Sequence, residues 1–264
     1  VHIIMELHEG LSLADYIQSL KEKKQKVKEE VAWNIFFQLC SALRYLHYDM
    51  KILHRDFAPS NILIDENFSV KLIDFGLATR WGTQSASGHK TFVGTILYSC
   101  PEMVQNKKCT VKADVWSLGA IMYELLTLNQ PFKGDNPLLI ANKIVNCEYQ
   151  PIPDDEYSAE LIEAIKRCMT VDTKKRPNVV NLCASYPTIM LKQMDLMREK
   201  QLSLLDKVKA MEHYRGGMNK LSHTHAIDLN YTNQYNSGSP MTKQMENVAK
   251  TGGFESQKRE FTIK

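Results

Sequence analysis

No CxxC pair joins any two of the six cysteines, Cys40, Cys100, Cys109, Cys147, Cys168 and Cys183, so neither a zinc site nor a redox motif is suggested. Six reduced thiols in an intracellular protein are the expectation. An excess of one charge is also lacking: 33 basic against 30 acidic side chains leave a formal +3, which gives no reason to expect a nucleic-acid partner. Long apolar runs are missing too. The stretch around Ile35 to Leu39 is too short to cross a bilayer and is interrupted by polar residues, so no membrane partner is expected. No signal peptide precedes the sequon Asn230-Tyr231-Thr232, which therefore carries no weight. An initiator methionine is absent as well. Val1 opens inside the apolar run Val1-His2-Ile3-Ile4-Met5, which reads as a piece of a longer chain.

What is present suffices for one large core with extra segments. The opening β-branched run is strand-like and ends in a polar connector at Glu6 to Gly10. Residues 12 to 20 suit a short helix, and the lysine-rich stretch Lys21 to Lys28 suits a solvated face or loop. From Glu29 to Tyr48, Val31, Ile35, Leu39, Ala42 and Leu46 recur at three-to-four spacing, the pattern of a long buried helix. Ile62 to Ile64 and Val70 to Ile73 flank the polar turn Asp65-Glu66-Asn67 and predict a hairpin. Arg80 to Lys90, rich in Gly, Ser and Thr, predicts a loop. Helical patterns follow at Ala113 to Leu126, Leu138 to Val145 and Ala159 to Met169.

The character changes past about Pro187. Met190, Met194, Met197, Gln201, Leu204, Val208 and Met211 alternate steps of four and three, a heptad seam of about three repeats. Either the helix lies against its own domain or residues 190–211 self-associate. Gly216-Gly217 is expected to end it, and the Asn, Ser, Thr and Gly-rich remainder to Lys264 reads as disordered. The expected division is thus 1–187, a helical or short coiled-coil extension over 188–215, and a tail over 216–264.

Chemistry concentrates at the two ends of the hairpin. His54-Arg55-Asp56-Phe57-Ala58-Pro59-Ser60-Asn61 precedes it, and Asp74-Phe75-Gly76 follows. Phosphoryl transfer needs a carboxylate that orients an attacking hydroxyl and accepts its proton. It also needs oxygen ligands that hold magnesium against nucleotide phosphates, because the barrier falls mainly through positioning and electrostatics. Asp56 suits the first role; Asn61 and Asp74 suit the second.

These motifs resemble those of the protein kinase family, whose catalytic loop reads H-R-D, four residues, then Asn, with D-F-G downstream. Further landmarks follow in order. Gly94-Thr95-Ile96-Leu97-Tyr98-Ser99-Cys100-Pro101-Glu102 looks like the substrate-binding end of an activation segment, with Thr95 a substrate-binding residue. Asp114-Val115-Trp116-Ser117-Leu118-Gly119 resembles the helix whose Asp braces the catalytic-loop backbone. The resemblance further implies that Glu102 pairs with Arg176. Thr91-Phe92-Val93-Gly94-Thr95 is most similar to the NIMA-related kinases.

The resemblance implies an α+β protein-kinase-like fold, mainly the helical C-lobe with the hinge strand, the N-lobe largely absent. It implies ATP and Mg2+ as cofactors and a protein substrate. Glu6 and His8 would supply hinge contacts and Leu63 the floor under adenine. Arg55 joins Asp56 in the catalytic set, since a guanidinium there can pair bidentately with an activation-loop phosphate. Thr91 is the candidate for that phosphate.

Two departures bear on activity. Ala58 stands where serine/threonine kinases usually place Lys, yet Pro59 and Gly94-Thr95 resemble that class. Serine/threonine specificity is therefore favoured, with dual or tyrosine specificity open. The glycine-rich loop, the strand lysine and its glutamate partner would all lie before Val1, so this chain alone is expected to bind ATP weakly and to transfer phosphate poorly. A short form acting as an interaction module is the alternative reading. A small-molecule phosphotransferase is disfavoured by the peptide-binding signature. Cytoplasm is the default compartment, with nuclear import left open.

Overall fold

The computed structural model describes residues 6–81 and 96–232, with side chains to Met211. The expected opening strand Val1 to Met5 and the loop from 82 onward lie outside the described residues. Two compact units divide the chain, Val1–Met197 and Arg198–Lys264.

In the first unit, β1 (Leu11–Ser12) leads directly into α1 (Leu13–Glu22), whose N-cap Ser12 accepts a hydrogen bond from the Asp15 amide. A cap of this kind is worth about 1 kcal/mol. α2 (Glu29–Arg44) follows, with Ile35, Phe36, Leu39, Cys40 and Leu43 fully buried. Its last turn widens into a π turn, Tyr45–Asp49. β2 (Ile52–Leu53) comes next, then a 3-10 turn at Pro59–Asn61, and then the hairpin of β3 (Ile62–Ile64) and β4 (Val70–Leu72). Three strands form one antiparallel sheet in the order β1-β3-β4, and β2 pairs with β5 (Thr79–Arg80) in a second. Gly10 is required where the chain enters β1, because a Cβ there would lie 2.4 Å from the Ile64 carbonyl oxygen.

The helices past residue 96 are α3 (Pro101–Val104), α4 (Lys112–Thr127), α5 (Pro137–Asn146), α6 (Ala159–Cys168), α7 (Val179–Ala184) and α8 (Pro187–Thr232). Among them, α4 and α6 contribute most to the core. Every residue of α4 from Ala113 to Tyr123 is buried, as expected for a helix that is apolar all round. Each Leu or Ile so buried is worth about 1.5–3 kcal/mol. α4 packs on α6 through Gly119, where an added Cβ would fall 2.6 Å from Cys168 Cβ. α2 lies against α4 and α7. The Asn136, Ser158 and Asn178 side chains cap α5, α6 and α7 by accepting amide hydrogen bonds.

The expected helices and hairpin between residue 12 and Met169 are found, within a few residues at most boundaries, whereas Arg80, expected to open a loop, lies in β5 and pairs with Ile52 because β2 offers it a partner. The end of α8 differs. The helix continues through Gly216-Gly217 to Thr232. Two glycines cost a helix about 1 kcal/mol each but, unlike proline, keep their N–H donors and reach helical φ and ψ freely, so they weaken the helix without ending it. The expectation of disorder therefore fails for 216–232, and 233–264 lies outside the described residues.

Candidate active site

The β3–β4 hairpin sets the geometry. Its register pairs Ile62 with Leu72, so Asn61 and Ile73 flank its open end, where the Ile73 amide donates to the Asn61 carbonyl (2.9 Å). Asp74 follows Ile73, which brings the end of the catalytic loop and the Asp-Phe-Gly run to one place. Asn61 Nδ2 donates to the Asp56 carbonyl oxygen (2.9 Å) and to Asp56 Oδ2 (3.0 Å). Both amide bonds thus fix Asn61 through its nitrogen, and its Oδ1 is left as an acceptor. The Asp74 side chain is exposed, and its Oδ1 accepts from the Gly76 amide at 2.9 Å.

Arg55 and Asp74 both adopt left-handed backbone, with φ of 67° and 60°. For residues with a side chain this costs about 1–3 kcal/mol and persists only where the surroundings hold it. At Arg55 the holding group is Asp114, in the first turn of α4. Its Oδ2 accepts from the His54 amide and its Oδ1 from the Arg55 amide, both at 3.0 Å. His47 Nε2 donates to Oδ2 at 2.8 Å. Burial pushes the Asp114 carboxyl up, but these three donors outweigh it and hold its pKa below the usual value. The brace is thus a buried carboxylate with its acceptors satisfied.

His54 is itself fully buried, edge-on to Phe57 (5.7 Å between ring centres) and tilted against Phe75 (5.2 Å). Burial lowers its pKa, opposed by the carboxylates of Asp114 and Asp56, so the ring is held in its neutral form.

A second polar anchor joins α3 to α4. Arg176, with no exposed surface, grips Glu102 in a two-pronged pair, Nη1 to Oε1 at 2.7 Å and Nη2 to Oε2 at 3.0 Å. Its Nε donates to the Thr170 carbonyl (2.8 Å), its Nη1 also to the Lys112 carbonyl (2.9 Å), and the guanidinium lies 5.0 Å from the Trp116 ring centre. One arginine therefore ties α3 to the start of α4. Further along α4 the Ser117 hydroxyl donates to the Tyr98 carbonyl (2.7 Å), fixing the 3-10 turn Ile96–Tyr98.

On the sheet, Ile62 and Ile64 point into the core while Leu63 alternates to the opposite face, where its cross-strand partner is Lys71. Lys71 Nζ pairs with Glu6 Oε1 at 2.6 Å, which brings Glu6 to the Leu63 face. His8 is half-buried nearby in sequence. Thr91 and Thr95 lie outside the described residues. Ala58 is 3% exposed and packs in the core cluster. Sequence reasoning missed His47 and Trp81, whose indole donates to the His47 carbonyl at 2.6 Å. The available signal for His47 was a histidine closing a long helix just before the catalytic loop.

With this geometry in place, the protein kinase domain profile matches residues 1–186. The chain belongs to the protein kinase family. Among its curated relatives, the serine/threonine-protein kinase Nek10 of Mus musculus is 43% identical over 209 residues, covering 79% of this chain and 19% of that protein. Nek10 of Homo sapiens is also 43% identical, with 18% of its length covered. A probable serine/threonine-protein kinase nek2 of Dictyostelium discoideum is 39% identical over 77% of this chain and 47% of its own length. The kinase chain thus spans about a fifth of the length of the Nek10 proteins it matches. These relatives bear out the resemblance to NIMA-related kinases. Gly94 to Glu102 and Lys112 to Trp116 point to the tenth member of that group, the name two of them carry.

Proposed function

We propose that this kinase transfers the terminal phosphate of Mg·ATP to a serine or threonine hydroxyl of a protein. One observation carries the reading: Asp56 and Asn61 are bonded together at the same hairpin end that presents Asp74, on a loop held by Asp114. Asp56 would orient the acceptor hydroxyl and take its proton, with Asn61 holding the carboxylate in place. Arg55, with its backbone already locked by Asp114, would meet a phosphate on Thr91.

The residues fit magnesium. An exposed Asp74 carboxylate and the Asn61 Oδ1 offer two hard oxygen ligands, and magnesium characteristically keeps several waters and takes phosphate oxygens for the rest. Asn61 and Asp74 would share the ion with the nucleotide phosphates. When bound, the ion would neutralise charge on the phosphates. Leu63, with Glu6 and His8 at the connector, would contact adenine, and Thr95 the protein acceptor.

The names of the relatives support serine/threonine over tyrosine specificity. Self-association through 190–211 is supported by the exposure of Met194, Met197, Leu204, Val208 and Met211, all on the heptad seam. Cytoplasmic residence is our reading, and no described helix is long and apolar enough to cross a membrane.

The test is phosphate transfer to a serine- or threonine-bearing protein acceptor by this chain joined behind an ATP-clamping lobe. Asp56→Asn should lower the rate by about 10²–10⁴-fold with little change in nucleotide affinity. An unchanged rate would remove Asp56 from the role of base.

A further inference from the structure

β5 ends at Arg80, and the next residue, Trp81, is 37% exposed. Its two N–H groups are nevertheless both engaged. The Trp81 amide donates to the Lys51 carbonyl (3.0 Å) and the indole Nε1 to the His47 carbonyl (2.6 Å). Both acceptors lie between the end of α2 and the start of β2. The Lys51 ammonium stands 5.3 Å from the centre of the Trp81 ring, a cation–π contact that helps to seat it.

The His47 carbonyl belongs to the π turn Tyr45–Asp49, past which Lys51 takes a left-handed φ of 57° and the chain leaves for β2. The last carbonyls of a helix lack an intrahelical donor. Trp81 supplies one from a distant part of the chain. His47 depends on such a hold. Its buried ring makes one hydrogen bond, Nε2 to Asp114 Oδ2 at 2.8 Å, while Nδ1 has no partner among the described residues. A ring tied at a single atom takes its position from its own backbone. Asp114 in turn accepts from the His54 and Arg55 amides, and Arg55 directly precedes Asp56.

β2 and β5 meet the same place from the other side. Leu53, the residue before His54, pairs with Thr79, but the ladder has only the Leu53–Thr79 and Ile52–Arg80 pairs. So short a ribbon does not hold itself together. The two bonds from Trp81 extend it onto the π turn.

We propose that Trp81 is a positioning residue for phosphoryl transfer: its indole N–H pins the His47 carbonyl and thereby, through His47 and Asp114, the backbone that carries Asp56. The consequence for transfer rests on the proposed kinase activity; the relay itself does not. Because Trp81 is partly exposed, water can take the place of its N–H at the carbonyl. The effect is therefore that of one directed hydrogen bond, a factor of about 2–10.

Trp81→Phe is the test, since it keeps an aromatic ring beside Lys51 and removes the donor. Amide hydrogen exchange on the chain reads the relay directly. Exchange at the His54 and Arg55 amides should be about 2–10 times faster than in the wild type, with protection in α6 unchanged. In the chain joined behind an ATP-clamping lobe, kcat should fall by a similar factor, with KM for ATP and for the protein acceptor unaltered, because only the orientation of Asp56 is loosened. His47→Leu cuts the relay, so adding Trp81→Phe to it should lower kcat no further. Wild-type protection at His54 and Arg55 in Trp81→Phe would overturn the proposal, as would an undiminished loss of kcat in the His47→Leu background. Faster exchange throughout α6 would overturn it too, since that marks a loosened fold and not a cut relay. If the joined wild-type protein transfers no phosphate, the proposed activity fails, and exchange at His54 and Arg55 still decides the relay.

Discussion

Replacing Arg176 by alanine removes more than one ion pair. The guanidinium has no exposed surface, both its outer nitrogens hold Glu102, and it also donates to the carbonyls of Thr170 and Lys112. Glu102 is 5% exposed, so Arg176→Ala would strand a carboxylate in the interior. Breaking a buried pair in this way costs about 3–5 kcal/mol, a large share of a stability of about 5–15 kcal/mol. Glu102→Gln keeps the shape but leaves the buried Arg176 charge without its counter-ion and sets an amide donor against a guanidinium donor, so it should also cost about 3–5 kcal/mol. The double variant Glu102→Met with Arg176→Met should fall short of the sum of the single costs, because it strands no charge. Urea unfolding gives the comparison, read as a shift of midpoint at constant slope. A cost for Arg176→Ala below about 1 kcal/mol, the range of an exposed ion pair, would refute the claim that this anchor ties α3 to α4.

Other expectations follow from the same geometry. Gly119→Ala places a Cβ 2.6 Å from Cys168 Cβ, a stem atom that cannot swing aside, and should lower stability by about 1–3 kcal/mol in the same assay. His54 has a folded pKa below its unfolded value of about 6.5, so the unfolded chain binds the extra proton first. Its contribution is present above about pH 6.5 and is lost as pH falls through the folded pKa; thermal unfolding should show a falling midpoint from about pH 7 to about pH 5 that is reduced in His54→Phe. Asp114, also lowered, adds a loss only in stronger acid, below the usual Asp range near 3.9. Leu204→Glu with Val208→Glu should shift a sedimenting dimer toward monomer, and an unchanged distribution would remove the seam as a self-association surface.

Much of this was legible because it repeats along the chain. The stripe from Val31 to Leu46 and the apolar run of α4 each span several turns, enough for periodicity to identify a helix. The hairpin was legible from two short apolar runs around a polar turn. By contrast β1, β2 and β5 have two residues each and exist only through their partners, as Leu11 opposite Ile64 and Leu53 opposite Thr79 show. No local pattern could contain them. The same holds for the site. Asp56, Asn61 and Asp74 were readable in order, but the π turn that delivers His47 to Asp114 depends on how α2 ends against α4. The length of α8 was misjudged because glycine was read as a stop where it is only a weak point.

Magnesium-dependent ATP binding tests the central claim most directly. It is measured by titration calorimetry on this chain and on the same chain joined behind an ATP-clamping lobe, each with its Asp74→Ala variant. The account predicts tight, magnesium-dependent binding in the joined wild-type protein, weak binding in the chain alone, and loss of the magnesium dependence with Asp74→Ala. Binding that ignores both magnesium and Asp74 would contradict it.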